Sequence, residues 1–351
     1  MKFILILILT IPYVSFAGND SIRNYYDYIN KAELSICKNK LGKASIYYSK
    51  AFSYKTNPFA CDLNNALKCE LLSNQNKLNV LNYLSLLKKK NLIVTIPDSI
   101  MKCDSQWESI QKQVDSIKPF VNQLLQSSFD SLQLLDQAAR HNCPGYKSSC
   151  VKTVIFQDSL NYIKLKNLYR QFSSLNEESV GYNFNQRTWL FQVHYGMWQW
   201  QWFNMETCLF NEVKKGNIDA RVYANIIDRN DESKGSKNRT LLTKEYGAHY
   251  GTELMEVLNN YLVIPLFNGK SKYVNNKKSR LREINYNRHL IYLESYSDLI
   301  KKAEYVYFSK PCWNEKLLKN MHLPIVTDEG YDPMNLKSYS KILYNEHFNC
   351  H

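Results

Sequence analysis

Several groups of residues carry side chains and spacings suited to chemistry. The first is Asp136-Gln137-Ala138-Ala139-Arg140, with His141 adjacent. On a helix Asp136 and Arg140 stand at i,i+4, where a carboxylate and a guanidinium meet on one face. Such a pair is either a surface ion pair or part of a polar constellation that points into a cleft. The second is the segment from Trp189 to Phe203, in which Leu190, His194, Trp198 and Trp202 recur every fourth residue. His194 is then flanked by apolar and aromatic groups. Burial disfavours its protonation, so it is either a hydrogen-bonded core histidine or a neutral general base. The third is Asp228-Arg229 at the end of an expected helix, an acid that could orient His194 beside a cation that could hold an anion. The fourth is Tyr246-Gly247-Ala248-His249-Tyr250-Gly251-Thr252. There His249 and Glu253 have the i,i+4 spacing of a metal pair but lack a third ligand, so no metal and no cofactor is expected. The fifth is a basic stretch, Lys270, Lys272, Lys277, Lys278, Arg280, Arg282 and Arg288, interleaved with Tyr273 and Tyr286. It reads first as a solvated helix face and second as a groove for an acidic polymer.

Several activities have no support. There is no glycine-rich phosphate loop, HExxH, GxSxG or calcium-binding EF-hand loop. No CxxC occurs among the nine cysteines, which leaves thioredoxin-like redox chemistry and zinc-ribbon spacing unsupported.

These groups must be positioned by helices. Only 11 Gly and 9 Pro occur in 351 residues, while hydrophobic residues make up 44%. Scarce turn-formers and ample apolar content imply an all-α, or mostly α, chain with a packed core. Residues 18–100 read as helical hairpins. Ala44, Tyr48 and Ala51 share one helix face, and Ala32 and Ala66 lie 34 residues apart. Small and aromatic residues at such offsets resemble a tetratricopeptide repeat, in which small side chains let paired helices approach closely. Residues 101–308 read as a larger helical domain. Its expected helices are Ser105 to Ile117, Pro119 to Arg140 with Pro119 in the first turn, Asp158 to Phe172, Asn185 to Lys215, Ile218 to Asp228, and further helices within Leu281 to Ala303. A polar loop is expected over Arg229 to Glu245, and residues 309–351 read as an irregular tail.

Residues 1–17 have the three parts of a secretory signal: Lys2, an apolar run from Phe3 to Leu9, and Ser15-Phe16-Ala17. The expectation is an exported, periplasmic or secreted protein with no membrane span in the mature chain. In such a compartment cysteines can pair. Pro144-Gly145 is a turn that would bring Cys143 and Cys150 together, and the odd total leaves at least one thiol free or paired between chains, with Cys350 a candidate. The formal charge of +13 suits solubility first and contact with anionic partners second. Nucleic acid is not expected as a partner.

The order of these pieces resembles a bacterial family known only as a domain of unknown function. Asp136, Gln137 and Arg140 look like its Asp-Gln-x-x-Arg helix, and Asp158 with Asn161 like its Asp-x-x-Asn helix. Val180-Gly181, His194, Ala224 with Asp228-Arg229, Tyr250-Gly251-Thr252, and Val274 with Lys277-Lys278 match its later elements. Departures are Glu253 in place of Gln, Lys277-Lys278 in place of Arg, and Glu283 near a Gly. The resemblance, which covers about Ser116 to Ala303, implies a domain boundary and a list of residues but no established activity. The combined expectation is a binding or interaction module of the cell envelope, with an envelope protein or anionic polymer as partner. In that reading Gln137, Arg140, Asp158, Asn161, Arg229 and Tyr250 are binding residues. The alternative is a hydrolase with His194 as base, Asp228 as orienter, Asp136 nearby and Arg140 or Arg229 as anion clamp.

Overall fold

The structure is a computed structural model. It describes residues 17–73, 76–144, 149–172, 174–188, 203–234 and 277–308. The chain is mostly helical, and no strand occurs among the described residues. No helix among them is long and apolar enough to cross a membrane.

The first four helices form antiparallel hairpins: α1 (Ala17–Cys37), α2 (Leu41–Phe52), α3 (Ala60–Leu72) and α4 (Lys77–Lys89). Ala32, Ala44, Tyr48, Ala51 and Ala66 are all fully buried between them. Four small residues and one ring on facing surfaces let these helices pack closely. Asn39 and Asn91 adopt positive φ just after α1 and α4, the left-handed geometry that stops a helix and that Asn tolerates. Asn76 caps α4 by accepting from the backbone N–H groups of Leu78 and Asn79.

Next come α5 (Asp98–Met101) and α6 (Gln106–Asp115), which buries Trp107, Ile110 and Val114 against α4. A hairpin of α7 (Gln123–His141) and α8 (Val151–Gln171) follows, then the single turn α9 (Glu177–Val180) and a helical run at 184–188. Further along are α10 (Phe203–Lys214), α11 (Ala220–Lys234), α12 (Lys277–Leu290) and α13 (Tyr296–Phe308). The last of these returns to pack on α1. One continuous cluster of buried side chains runs from Ile22 to Leu293, so the amino-terminal hairpins share a core with the helices after residue 100.

The structure departs from the expected helix limits at the start of α7, at the start of α8, which begins at Val151 rather than Asp158, and at the end of α11. Helix α7 begins at Gln123, not in the turn after Pro119, because Asn122 accepts from the N–H groups of Leu124 and Leu125 and fixes the start there. Helix α11 runs on through Lys234, so Arg229 to Lys234 is helical where a loop was expected. The inward stripe of α7 is Leu125, Phe129, Leu132 and Asp136, while Leu124 is 79% exposed. The same shift occurs on α8, where Val154, Asp158, Asn161, Tyr162 and Leu165 point inward and Ile163 is 53% exposed.

Cys143 and Cys150 form a disulfide with Cα atoms 5.5 Å apart, joining the end of α7 to the start of α8. Cys37, Cys61, Cys69, Cys103 and Cys208 are free thiols, and Cys312 and Cys350 lie outside the described residues. The crosslink closes a short loop, so loop-closure entropy gives it a stabilising effect of about 2 kcal/mol. Replacing both cysteines with serine should lower the unfolding free energy by that amount, and with it the urea midpoint, without changing helix content by circular dichroism. An unchanged midpoint would show that the α7–α8 hairpin holds without its crosslink.

Candidate functional site

The α7–α8 hairpin carries five of the residues expected to act. Asp136 and Arg140 face the same side of α7, and Arg140 Nη1 lies 2.8 Å from Asp136 Oδ1. Its other terminal nitrogen, Nη2, lies 2.9 Å from Asp158 Oδ1 and 3.0 Å from Oδ2. Gln137 Nε2 donates to Asp136 Oδ2 at 2.8 Å, and Asn161 is tied to Gln157 Nε2 at 2.8 Å. Both carboxylates are almost fully buried, whereas Arg140 keeps 12% of its side chain exposed. The guanidinium is therefore spanned by two carboxylates, an arrangement that locks α7 to α8. To clamp an external anion it would have to give up one of them.

The remaining expected residues are not assembled with these. His194 and Tyr250 lie outside the described residues, as do His249, Glu253 and the basic residues from Lys270 to Lys272. Asp228 and Arg229 lie on α11, but their side chains are likewise outside the described set. Within the basic stretch, Arg282 is exposed while Arg288 is buried, its Nη2 3.3 Å from Glu294 Oε1. One of the seven cations expected to form a solvated or polymer-binding face therefore serves the interior.

A second polar region lies where α1, α3, α11 and α13 meet. Arg221 faces three carboxylates: Asp219 at 2.6 Å, Asp62 at 3.3 Å and Glu33 at 3.7 Å. Glu33 also pairs with Lys302, and Lys302 reaches Glu294 at 3.3 Å. Tyr25 donates to Asp62, and Tyr26 Oη accepts from the N–H of Ala220 at 2.9 Å at the start of α11. Burial alone would raise the Glu294 carboxyl, but Lys302 and Arg288 outweigh it and hold that carboxyl down at about 2.

An open cleft with a volume of about 680 Å³ adjoins this region. Its walls come from the α2–α3 turn (Tyr54, Lys55, Asn57), the end of α4 (Lys90), the start of α9 (Glu177, Glu178) and the end of α10 (Lys214, Lys215). Lys90 is buried, hydrogen-bonded to Asn57 Oδ1 and 3.4 Å from Glu177 Oε2. Glu177 also accepts from the N–H of Ala60 at 2.6 Å and from Asn185 Nδ2 at 2.9 Å. Burial nonetheless leaves its carboxyl above the usual range. Lys55 donates to the carbonyl of Asn57 and sits 4.5 Å from the centre of the Phe59 ring. Among the described residues no carboxylate pairs with it. Burial first, and the ammonium of Lys90 second, push the Lys55 amine down to about 8.

Gly216 closes the rim with φ +73°, and a Cβ there would lie 2.6 Å from Ile22 Cδ1 and 3.6 Å from Lys55 Nζ. Only glycine leaves that room at that backbone angle. Reading the sequence by motif missed this cleft altogether. The signals present were weak: Lys55 and Asn57 before Pro58, and a Lys-Lys-Gly-Asn run at the end of α10. No group of acidic, His or Cys side chains suited to a metal occurs among the described residues.

Two outcomes follow from this geometry. Arg140→Met removes the cation that both buried carboxylates face, and should destabilise the protein by about 3 kcal/mol in urea unfolding. A loss below ~0.5 kcal/mol, the size of an exposed pair, would contradict the lock. Glu294 has a folded-state value below the ordinary 4.5, so its stabilising contribution is complete above pH 4.5 and is lost as pH falls towards about 2. Glu294→Gln should therefore be less stable than the parent at pH 7, with the gap closing near pH 2. A gap that stays constant with pH would refute the ionic role.

No family model, no curated protein and no solved structure matches this chain.

Proposed function

We propose that this chain is an exported binding module of the cell envelope, and that the lysine-lined cleft is its seat for an anionic group on a small ligand or polymer end. The observation that carries this reading is the charge arrangement of the cleft. Lys55, Lys90, Lys214 and Lys215 line it against Glu177 and Glu178, and among the described residues Lys55 has no carboxylate partner. A half-buried ammonium without a carboxylate beside it is costly, so an arriving anion relieves that cost and gains charge-assisted hydrogen bonds. The volume lies within the range of small-molecule sites, roughly 300–1,000 Å³. The Asp136–Arg140–Asp158 cluster is the less favoured seat, because its cation is already faced by two carboxylates. Export is read from residues 1–17, and the partner class from the excess of cation in the cleft.

Titration calorimetry with inorganic phosphate and with short polyglutamate tests this directly. Binding should weaken as salt rises. Lys55→Met should reduce affinity at least about tenfold, the size of a lost charge-assisted bond, while leaving the thermal midpoint unchanged or raised. Salt-independent binding, or equal affinity in Lys55→Met, would defeat the reading.

A further inference from the structure

A lysine that lines a cleft without a carboxylate partner can do more than attract an anion. We propose that Lys55 is a reactive amine which captures a carbonyl carbon of the ligand as an imine, the ligand being an aldehyde or keto compound that bears an anionic group. The inference rests on the cleft being a ligand seat, and it adds the chemistry of the bound group.

Three observations carry it. Lys55 Nζ lines the open cleft, and its one hydrogen bond among the described residues goes to the backbone carbonyl of Asn57. A second lysine, Lys90, stands in the same cleft and is tied up by Asn57 and Glu177. Desolvation beside another cation is the physical means by which a lysine becomes nucleophilic near neutral pH. Gly216 forms the rim beside Nζ, where a Cβ would touch Nζ at 3.6 Å and crowd Ile22 Cδ1 at 2.6 Å.

The neighbouring lysines lack this setting. Lys215 is 58% exposed and pairs with Glu212 at 2.7 Å, which holds its amine above the ordinary range. Lys214 is exposed over the Phe210 ring.

The chemistry balances without a further reagent. The lone pair of the neutral amine adds to the carbonyl carbon, and the π pair moves onto oxygen. The proton shed by nitrogen passes to that oxygen, giving a carbinolamine. A second proton lets the hydroxyl leave as water as the C=N bond forms. Glu177 and Glu178 line the same cleft and are the carboxyl groups that carry these protons, Glu178 accepting from Asn57 Nδ2 at 3.0 Å. The groups that set the titration of Lys55 are Lys90, which lowers it, and Glu177, Asp62 and Asp219, which raise it. Lys214, Lys215 and Glu178 line the rest of the cleft.

The test uses the intact, folded chain with glyoxylate or propanal and cyanoborohydride, which reduces any imine to a stable amine. Peptide mapping then gives the rate at each lysine. At pH 8, glyoxylate should modify Lys55 roughly tenfold faster than Lys214 or Lys215, as expected for an amine with a depressed pKa. The Lys55 rate should level off above a midpoint of about 8, and its advantage should vanish in urea. Lys55→Arg should abolish labelling at that position and leave Lys214 unchanged.

Lys55 labelling no faster than at the exposed lysines overturns the inference, as does an advantage that survives unfolding. The two readings fail separately. Phosphate binding without selective Lys55 labelling removes the imine and keeps the anion seat. Selective labelling that is equal for glyoxylate and propanal keeps the reactive amine and removes the anion seat.

Discussion

The interaction on which this structure most depends is the buried chain of charge centred on Arg221. It runs from Asp62 through Arg221 to Glu33, on to Lys302 and Glu294, and ends at Arg288. Its members come from α1, α3, α11, α12 and α13 and from the turn before α13, spanning most of the described sequence. Moving these charges out of water is expensive, and their mutual attraction offsets that cost only while every partner is in place. Hydrophobic packing between helices tolerates small slips, but this network does not. It sets how α13 returns onto α1 and where α11 begins. Asp219 accepts from the N–H of Arg221, Tyr26 accepts from that of Ala220, and the amino end of α11 is thereby fixed to α1.

The cleft is an extension of the same network. Asn185 donates to Glu177 at 2.9 Å and accepts from the N–H of Asp219 at 3.1 Å, so it joins the cleft wall to the start of α11. Glu177 in turn receives the first N–H of α3 from Ala60 and faces the ammonium of Lys90. The backbone carbonyl of Lys90 accepts from the N–H of Tyr182, which holds the end of α4 against the segment after α9. Lys90 therefore stands on a rigid support. A preorganised cation loses little freedom when an anion arrives, and this favours recognition over loose surface attraction.

Much of the helical layout was legible in the sequence, and the reasons for the rest are physical. Ala44, Tyr48 and Ala51 announce a buried face because their spacing matches the helix period. Asp136 and Arg140 announce an ion pair for the same reason. Their second carboxylate, Asp158, follows from no local spacing, because it depends on how α8 folds back along α7; only resemblance to a family pattern had drawn attention to it. On these two helices Leu124 and Ile163 are apolar yet exposed, while Asp158 and Asn161 are polar yet buried. Hydrophobic periodicity cannot assign a buried polar residue to the inner face. The run Lys88-Lys89-Lys90 shows the same limit. It reads as a solvated end to a helix, but Lys90 is 2% exposed and belongs to the cleft. The cleft itself draws on residues from Ser21 to Asn217, brought together by long-range packing alone.

The two polar centres outside the Arg221 network differ in a way that bears on function. In the α7–α8 hairpin two buried carboxylates converge on one guanidinium, and the Cys143–Cys150 bond secures the same two helices a short distance along. An anion has no electrostatic reason to enter there. In the cleft the balance is reversed, because the cations exceed the carboxylates and, among the described residues, Lys55 meets a backbone carbonyl and the Phe59 ring rather than a carboxylate. Burial of that ammonium costs free energy in the unliganded protein, and the depressed titration of its amine is the same cost seen from the proton's side. Either an anion or a carbonyl carbon can relieve it, the first by neutralising the charge and the second by consuming the amine. The protein retains an uncompensated lysine at an open cleft while neutralising its buried cations elsewhere with carboxylates. That contrast is the reason for proposing the cleft, rather than the ion-paired hairpin, as the ligand seat.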